Sequence, residues 1–177
     1  MSMMKKIQRL LLLVAISLIP TFFVWLPFFA RLKSLWGIPL PQVGMATIVS
    51  NYDGPIYLVI AKSLYNPDII GASFQFPLPL EYYAAHFPLF PFLIRLFSIF
   101  LGFPYSMLFI TVAASCLATY FFYKFIRQYQ NEGNSLFLAL VFSLFPARWL
   151  IVKSVGSAEP LFMAGLLASI YYFQNKK

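Results

Sequence analysis

Acidic residues are scarce in this chain: five Asp and Glu stand against thirteen Lys and Arg in 177 residues. Histidine and cysteine are scarcer still, with one of each, His86 and Cys116. A single cysteine excludes an internal disulfide and a thiolate metal site. Its apolar surroundings make Cys116 a small buried side chain rather than a nucleophile. A single histidine excludes a histidine cluster. The chain has no glycine-rich phosphate loop, no zinc motif and no Gly-x-Ser-x-Gly elbow. It has no internal repeat and no low-complexity tract. Charged residues make up only 10% of it, against about 25% in soluble domains.

What is abundant is apolar. Hydrophobic residues supply 61% of the chain, and the mean hydropathy is +0.79. This composition predicts an all-α fold, a polytopic transmembrane helix bundle forming one membrane domain. The net charge of +8 is not a nucleic-acid footprint. The basic residues sit beside apolar runs, where they orient spans and touch anionic headgroups of the bilayer.

Lys5, Lys6 and Arg9 precede an apolar run from Leu10 to Phe29. At 1.5 Å per residue the run makes about 30 Å of helix, enough to cross the hydrocarbon core. A signal peptide is the competing reading. The run exceeds the ~7–15 residues of its apolar region, and no Ala-x-Ala site follows. Residues 1–30 are therefore expected to be an uncleaved anchor with a cytoplasmic N-terminus.

Residues 31–103 are expected to form a long external loop with interfacial helices. Pro39, Pro41, Pro55, Pro67, Pro77 and Pro79 punctuate it, and aromatics from Trp36 through Phe76 to Tyr83 suit the bilayer interface. Within it lies Asn51-Tyr52-Asp53-Gly54-Pro55-Ile56-Tyr57. Asn51 or Asp53 is expected to cap a helix with Pro55 in its first turn. Asp53 and Tyr57 then share a face, one turn apart. Such a pair is either a capping acid on an interfacial helix or part of a reaction site. Asp68, in Asn66-Pro67-Asp68, reads as a turn residue. Glu81 and His86 could together hold a divalent ion, although two ligands are few for such a site.

Arg95 sits in an apolar run too short to cross, so its helix is expected to enter the membrane only partway. Charge supports this. With a non-crossing Arg95 helix, Lys124, Arg127, Lys176 and Lys177 fall on the same side as Lys5, Lys6 and Arg9. Residues 104–177 then hold three further spans: Met107–Tyr123, Leu136–Val152 (with Pro146 and Arg148), and Leu161–Phe173. The expected total is about four. This topology puts Ser154 to Pro160 on the outer side with Asp53. There Ser157 reads as a helix cap, with Glu159 and Pro160 in the first turn. Glu159 is also the second acid of a candidate site. Arg95, Arg148 and Lys153 would lie near that surface, as snorkelling anchors or as phosphate ligands. Charged residues at mid-span are nearly absent, which disfavours a transporter.

Three stretches carry a resemblance. Tyr52-Asp53-Gly54-Pro55-Ile56-Tyr57-Leu58-Val59-Ile60-Ala61-Lys62-Ser63-Leu64-Tyr65 resembles the aromatic-Asp-x3-aromatic-x2-Ile-Ala-x3-Tyr stretch of GT-C glycosyltransferases. The likeness is to the mannosyltransferases that add the second mannose to GPI anchors, and to their bacterial cousins. His86-Phe87-Pro88-Leu89-Phe90-Pro91-Phe92-Leu93-Ile94-Arg95 is similar to that family's Phe-Pro-Leu-aromatic-Pro-x3-Arg stretch. Ser154 to Phe162 is similar to its Tyr-Ser-Glu-Ser-Leu-Phe stretch. Tyr52 stands where the family has Trp, and Pro160 where it has Ser. The resemblance implies transfer of a sugar, with mannose expected, from a polyprenyl-phosphate sugar donor to an external acceptor. It implies Asp53 as general base, Glu159 arranging donor or acceptor, and Arg95 near the lipid phosphate. Tyr52, Tyr57, His86, Arg148 and Lys153 complete the expected substrate-binding set. No metal or other cofactor is required. The family's chains are longer, so the resemblance is to the N-terminal part of such an enzyme, with further spans supplied either by the rest of a larger module or by a partner chain. A non-catalytic protein binding a lipid-linked sugar or partner helices is the alternative.

Overall fold

The computed structural model describes residues 3–74, 78–144 and 147–175; Phe76, Pro77, Pro146, Lys176 and Lys177 lie outside them. The chain is helical almost throughout. Helix α1 (Met3–Phe29) leads to a hairpin of two-residue strands, β1 (Ser34–Leu35) and β2 (Ile38–Pro39), paired Ser34 to Pro39. This hairpin is the departure from an all-α chain. Trp36 and Gly37 turn it with φ of 50° and 80°, the positive values a two-residue hairpin demands. Four short helices follow: α2 (Ala46–Val49), α3 (Gly54–Ser63), α4 (Pro67–Ser73) and α5 (Leu80–Ala84). Asp68 proves to be helical. Asn66 caps α4, its side-chain oxygen accepting from the Asp68 and Ile69 amides at 2.9 and 3.1 Å.

Helix α6 (Leu89–Ile126) is broken at Gly102, where φ 70° and ψ 162° are not helical. The Arg95 segment is thus a separate arm that begins at Leu89, and the second arm runs to Ile126. The chain continues as α7 (Glu132–Leu144), α8 (Ala147–Val152) and α9 (Glu159–Gln174). The expected Leu136–Val152 span is therefore divided between α7 and α8.

Among the described residues two helices, Met3–Phe29 and Leu89–Ile126, are long and apolar enough to cross a membrane. Helices α7 and α9, at 13 and 16 residues, are about 20 and 24 Å long, against ~30 Å of hydrocarbon. The packing is inside out by the standard of a soluble domain. Leu11, Phe22, Phe23, Ile99 and Phe100 are exposed, while Ser17, Thr21, Thr111, Ser115, Thr119, Ser135 and Ser143 are buried. In hydrocarbon, small hydroxyl residues gain most at helix contacts, because they let backbones approach closely. Thr111, Ser115 and Thr119 follow at four-residue spacing along α6. Each donates to the carbonyl four residues before it, at 2.8–3.0 Å, so no hydroxyl of the three goes unpaired.

The helices alternate in direction. At one end Arg9 of α1 pairs with Glu132 of α7 and lies over the Tyr123 ring of α6, while Lys124 of α6 lies over Tyr171 of α9. At the other end the Trp25 indole of α1 donates to the Ser154 carbonyl at 2.6 Å. There too Met107 of α6 packs beneath α3 and the 153–158 loop. The candidate site is built at this second end.

Candidate functional site

The Asp53 loop and the Glu159 loop are distant in sequence, and two glycines let them meet. A Cβ on Gly54 would stand 2.5 Å from the Val49 carbonyl oxygen, 3.3 Å from Met107 Cε and 3.6 Å from the Gly156 carbonyl oxygen. A Cβ on Gly156 would overlap Met107 Cε and Sδ. Gly54 is thus wedged against Val49, and Met107, fully buried, fills the space between the two loops. Thr111 ties the second loop down: its hydroxyl shares its one proton between the Met107 and Ser157 carbonyls, at 3.0 and 3.1 Å, and accepts from the Ser157 amide at 3.3 Å.

Asp53 occupies the N-cap position of α3, yet its side chain makes no capping hydrogen bond. Asn51 does not cap either; its amide donates to the Thr47 carbonyl at 2.5 Å. The capping role expected at this turn is therefore not what uses the Asp53 carboxylate. It is exposed at the site's mouth. Tyr52 before it holds φ 50°, a left-handed conformation that costs a β-carbon residue about 1 kcal/mol or more.

The phenol of Tyr57, one turn into α3, is buried. Its ring meets His86 edge-on at 5.2 Å and Phe90 at 4.8 Å. Burial, then the negative charge of Glu159, then that of Asp53, push its pKa up to about 12. Both carboxylates thus act on one phenol, which stays protonated and able to donate at neutral pH. His86 also faces Tyr82 at 5.4 Å, and its carbonyl accepts from the Tyr65 hydroxyl at 2.7 Å.

Glu159 opens α9, and Ala158 rather than Ser157 holds the N-cap position, without a side-chain bond. Ser157 instead donates its hydroxyl to the Glu159 carboxylate in a short hydrogen bond. Neither Asp53 nor Glu159 has a cationic partner; among the described residues the one salt bridge is Arg9–Glu132. No group of three His, Cys, Asp or Glu gathers among those residues, so Glu81 and His86 acquire no third ligand for a metal.

The three cations are placed differently from the acids. Arg95 reaches the far end of α3, where its guanidinium donates to the Ala61 and Lys62 carbonyls at 3.0 Å each. That is a helix C-cap, with the charge complementing the helix dipole, about 12 Å along the axis from Asp53. Arg95 also lines a cavity of about 420 Å³ with Phe92, Leu96, Ile99 and Phe103. Lys153 turns away from the site into the bundle, fully buried. Its ammonium donates to the Ser17 carbonyl at 2.8 Å and the Ser143 hydroxyl at 2.7 Å. Ser17 lies twelve residues inside the end of α1, about 18 Å down the helix. A surface anchor or a phosphate ligand was expected, and a cation deep among the helices is what the structure has. Arg148 is exposed on α8, with no hydrogen bond or ion pair to the acid cluster among the described residues.

Gly54, Gly156, Met107, Ser157 and Thr111 shape the site and were not legible as site residues. The sequence held one clue: two glycines beside the two acids, in a chain with only eight.

The cluster as it stands is two carboxylates without ion pairs, a protonated phenol and an imidazole around the mouth of a bundle. It can accept a proton from a hydroxyl and hydrogen-bond a polyol. No family model, no curated protein and no solved structure matches the chain.

Proposed function

We propose that this chain is a membrane glycosyltransferase, or the N-terminal catalytic portion of one. It moves a sugar, mannose by the resemblance, from a polyprenyl-phosphate sugar to an external acceptor. In this reading α1, the second arm of α6, α7 with α8, and α9 are four spans. The N-terminus is cytoplasmic and the Asp53 cluster is extracytoplasmic. The support for this topology is that Lys5, Lys6, Arg9 and Lys124 gather at one end of the bundle, and Asp53 and Glu159 lie at the other.

The observation that carries the chemistry is the convergence of two carboxylates without ion pairs, from separate loops, on the buried Tyr57 phenol. Asp53 accepts the proton of the acceptor hydroxyl as its oxygen bonds to the anomeric carbon. The bond from that carbon to the phosphate oxygen breaks, and the polyprenyl phosphate leaves with the electron pair. The configuration inverts. Glu159, oriented by Ser157, and the Tyr57 and His86 side chains hold the sugar hydroxyls. Arg95 uses one nitrogen on α3 and retains further N–H donors for the departing phosphate, beside an apolar cavity suited to an isoprenoid tail. No metal enters the scheme.

A second reading is favoured by one observation: among the described residues no cation pairs with Asp53 or Glu159, because Arg95 is spent on the α3 carbonyls and Lys153 on Ser17 and Ser143. The chain would then bind a lipid-linked sugar without transferring it. One assay separates the two. Membranes carrying the full chain are given radiolabelled polyprenyl-phosphate mannose and an extracted lipid acceptor. Transfer that is lost in Asp53→Asn, with insertion intact, supports the enzyme. Transfer that survives Asp53→Asn refutes Asp53 as the base. Donor retention without transfer supports the second reading.

A further inference from the structure

A cavity of about 840 Å³ opens between α1 and α6 at the end of the bundle opposite the Asp53 cluster. Its volume lies within the ~300–1,000 Å³ of small-molecule sites. Leu10, Leu13, Val14, Ala113 and Leu117 make its walls apolar. Its mouth is basic: Lys6, Arg9 and Lys124 line it. Glu132, paired with Arg9, is the acid at this end, so the charge there remains positive. Tyr123 also lines the cavity and is 2% exposed, and its hydroxyl has no hydrogen-bond partner among the described residues. A buried phenol O–H without an acceptor costs about 1–3 kcal/mol, so such a group points to a ligand that accepts from it.

We propose that this cavity is a binding site for an anionic diacyl phospholipid of the cytoplasmic leaflet. The acyl chain lies along the apolar walls between α1 and α6. The phosphate lies at the mouth, against the ammonium groups of Lys6 and Lys124. A phosphate or ester oxygen accepts from Tyr123. The match is one of charge and shape: cations at one end of an apolar slot, with a hydroxyl donor below them. This site is separate from the acid cluster and does not depend on sugar transfer.

The test is native mass spectrometry of the purified full chain in a mild non-ionic detergent. It is titrated with phosphatidylglycerol, phosphatidylcholine and polyprenyl phosphate, one at a time and in competition. Phosphatidylglycerol is expected to be retained at least ten-fold better than phosphatidylcholine. Each cation near a headgroup contributes roughly five-fold, so Lys6→Gln with Lys124→Gln should weaken retention about 25-fold. Tyr123→Phe keeps the buried ring and should weaken it about five-fold with little change in thermal midpoint. Lys33→Gln with Lys62→Gln, at the other end, should change nothing. Equal retention of phosphatidylcholine overturns the proposal, as does indifference to the Lys6, Lys124 and Tyr123 variants. Displacement of phosphatidylglycerol by equimolar polyprenyl phosphate overturns the choice of lipid.

Discussion

Gly156→Ala and Gly54→Ala should both damage the site, but only one should be rescuable. The Cβ added at Gly156 meets the far end of the Met107 side chain, with Cγ at 3.0 Å and Cε and Sδ closer. Methionine has three rotatable bonds, so the clash can be relieved at the cost of an off-rotamer side chain and a displaced loop. Overpacking of this kind costs roughly 1–3 kcal/mol. For a chain of 177 residues that lowers the thermal midpoint by about 2–12 °C. Met107→Ala alone removes a fully buried side chain and costs roughly 2–5 kcal/mol. In the double variant the new methyl at position 156 fills part of the space that Met107 vacates. The two losses should therefore fall short of additivity by about 0.5–3 kcal/mol. Gly54→Ala offers no such escape, because its Cβ meets the Val49 backbone oxygen at 2.5 Å. Met107→Ala relieves only the lesser contact, 3.3 Å from Met107 Cε, and should leave most of its cost in place. The assay is thermal unfolding of each purified variant in detergent, with unfolding free energies from denaturant titration. Strict additivity of Gly156→Ala and Met107→Ala would refute the account of how the two loops are joined. So would a Gly54→Ala variant within about 0.5 kcal/mol of the parent.

Three further predictions follow from separate parts of the molecule. Tyr57 holds its proton to about pH 12 in the fold, against 10.0 for an ordinary tyrosine, so its contribution to stability is complete below pH 10 and is lost as pH rises from 10 to 12. Tyr57→Phe should flatten stability in that window and remove a tyrosinate absorbance that rises near pH 12; an unchanged alkaline profile would count against the burial of the phenol. Lys153→Met should be near neutral or more stable, because an apolar side chain of similar size avoids a desolvated charge and Ser143 keeps its 2.8 Å bond to the Ile16 carbonyl, whereas Lys153→Glu should cost more than about 3 kcal/mol. A loss above that figure in Lys153→Met would show that the cation itself holds the helices. Gly102→Ala should cost about 1–3 kcal/mol through the backbone alone, since φ 70° with ψ 162° suits only glycine and the added methyl meets nothing within 4 Å; a neutral Gly102→Ala, with tryptic cleavage at Arg95 unaltered, would refute the break as a required feature.

Which features could be read from the sequence depends on the range of the interaction that makes them. Helix α1 was legible because a mostly apolar run of twenty residues behind a basic flank needs no partner to declare itself. Charges counted across spans put Asp53 and Glu159 on one side as an expectation, and in the structure the negative charges of both help raise the pKa of Tyr57. The Asn66 cap escaped because Asn-Pro-Asp serves a turn and a helix start equally well, and the choice rests on whether Ile70 finds a buried place. Lys153 escaped for a different reason. A lysine after an apolar run ordinarily snorkels to the headgroups, but this one follows a short helix that ends inside the bundle. From there its long stem reaches Ser17 and Ser143 instead. The Gly54, Met107 and Gly156 contact is a three-body fit between loops a hundred residues apart, and nothing local announces it.

Arg95 links the bend in α6 to the placing of Asp53. Composition marks it as a charge too costly to bury in a span, and so as the sign of an arm that does not cross. Seven residues on, the backbone leaves the helix at Gly102. A straight helix of 38 residues would run about 57 Å, nearly twice the hydrocarbon thickness. Bent at Gly102, the first arm can lie along α3 while the second enters the bundle. Arg95 then secures the arm by taking two carbonyls at the C-terminal end of α3. The N-terminal end of the same short helix carries Asp53. Helix α3 is thus fixed at one end by the Arg95 arm and at the other by Gly54 against Val49 and Met107. Arg95→Lys keeps the charge but ends in a compact ammonium, without the further guanidinium N–H donors that stay open once one nitrogen has taken the two carbonyls. If Arg95 only positions α3, that change loosens the helix and weakens every ligand of the Asp53 cluster alike. If it meets the donor phosphate, it weakens the polyprenyl-phosphate sugar and leaves the acceptor's affinity unchanged.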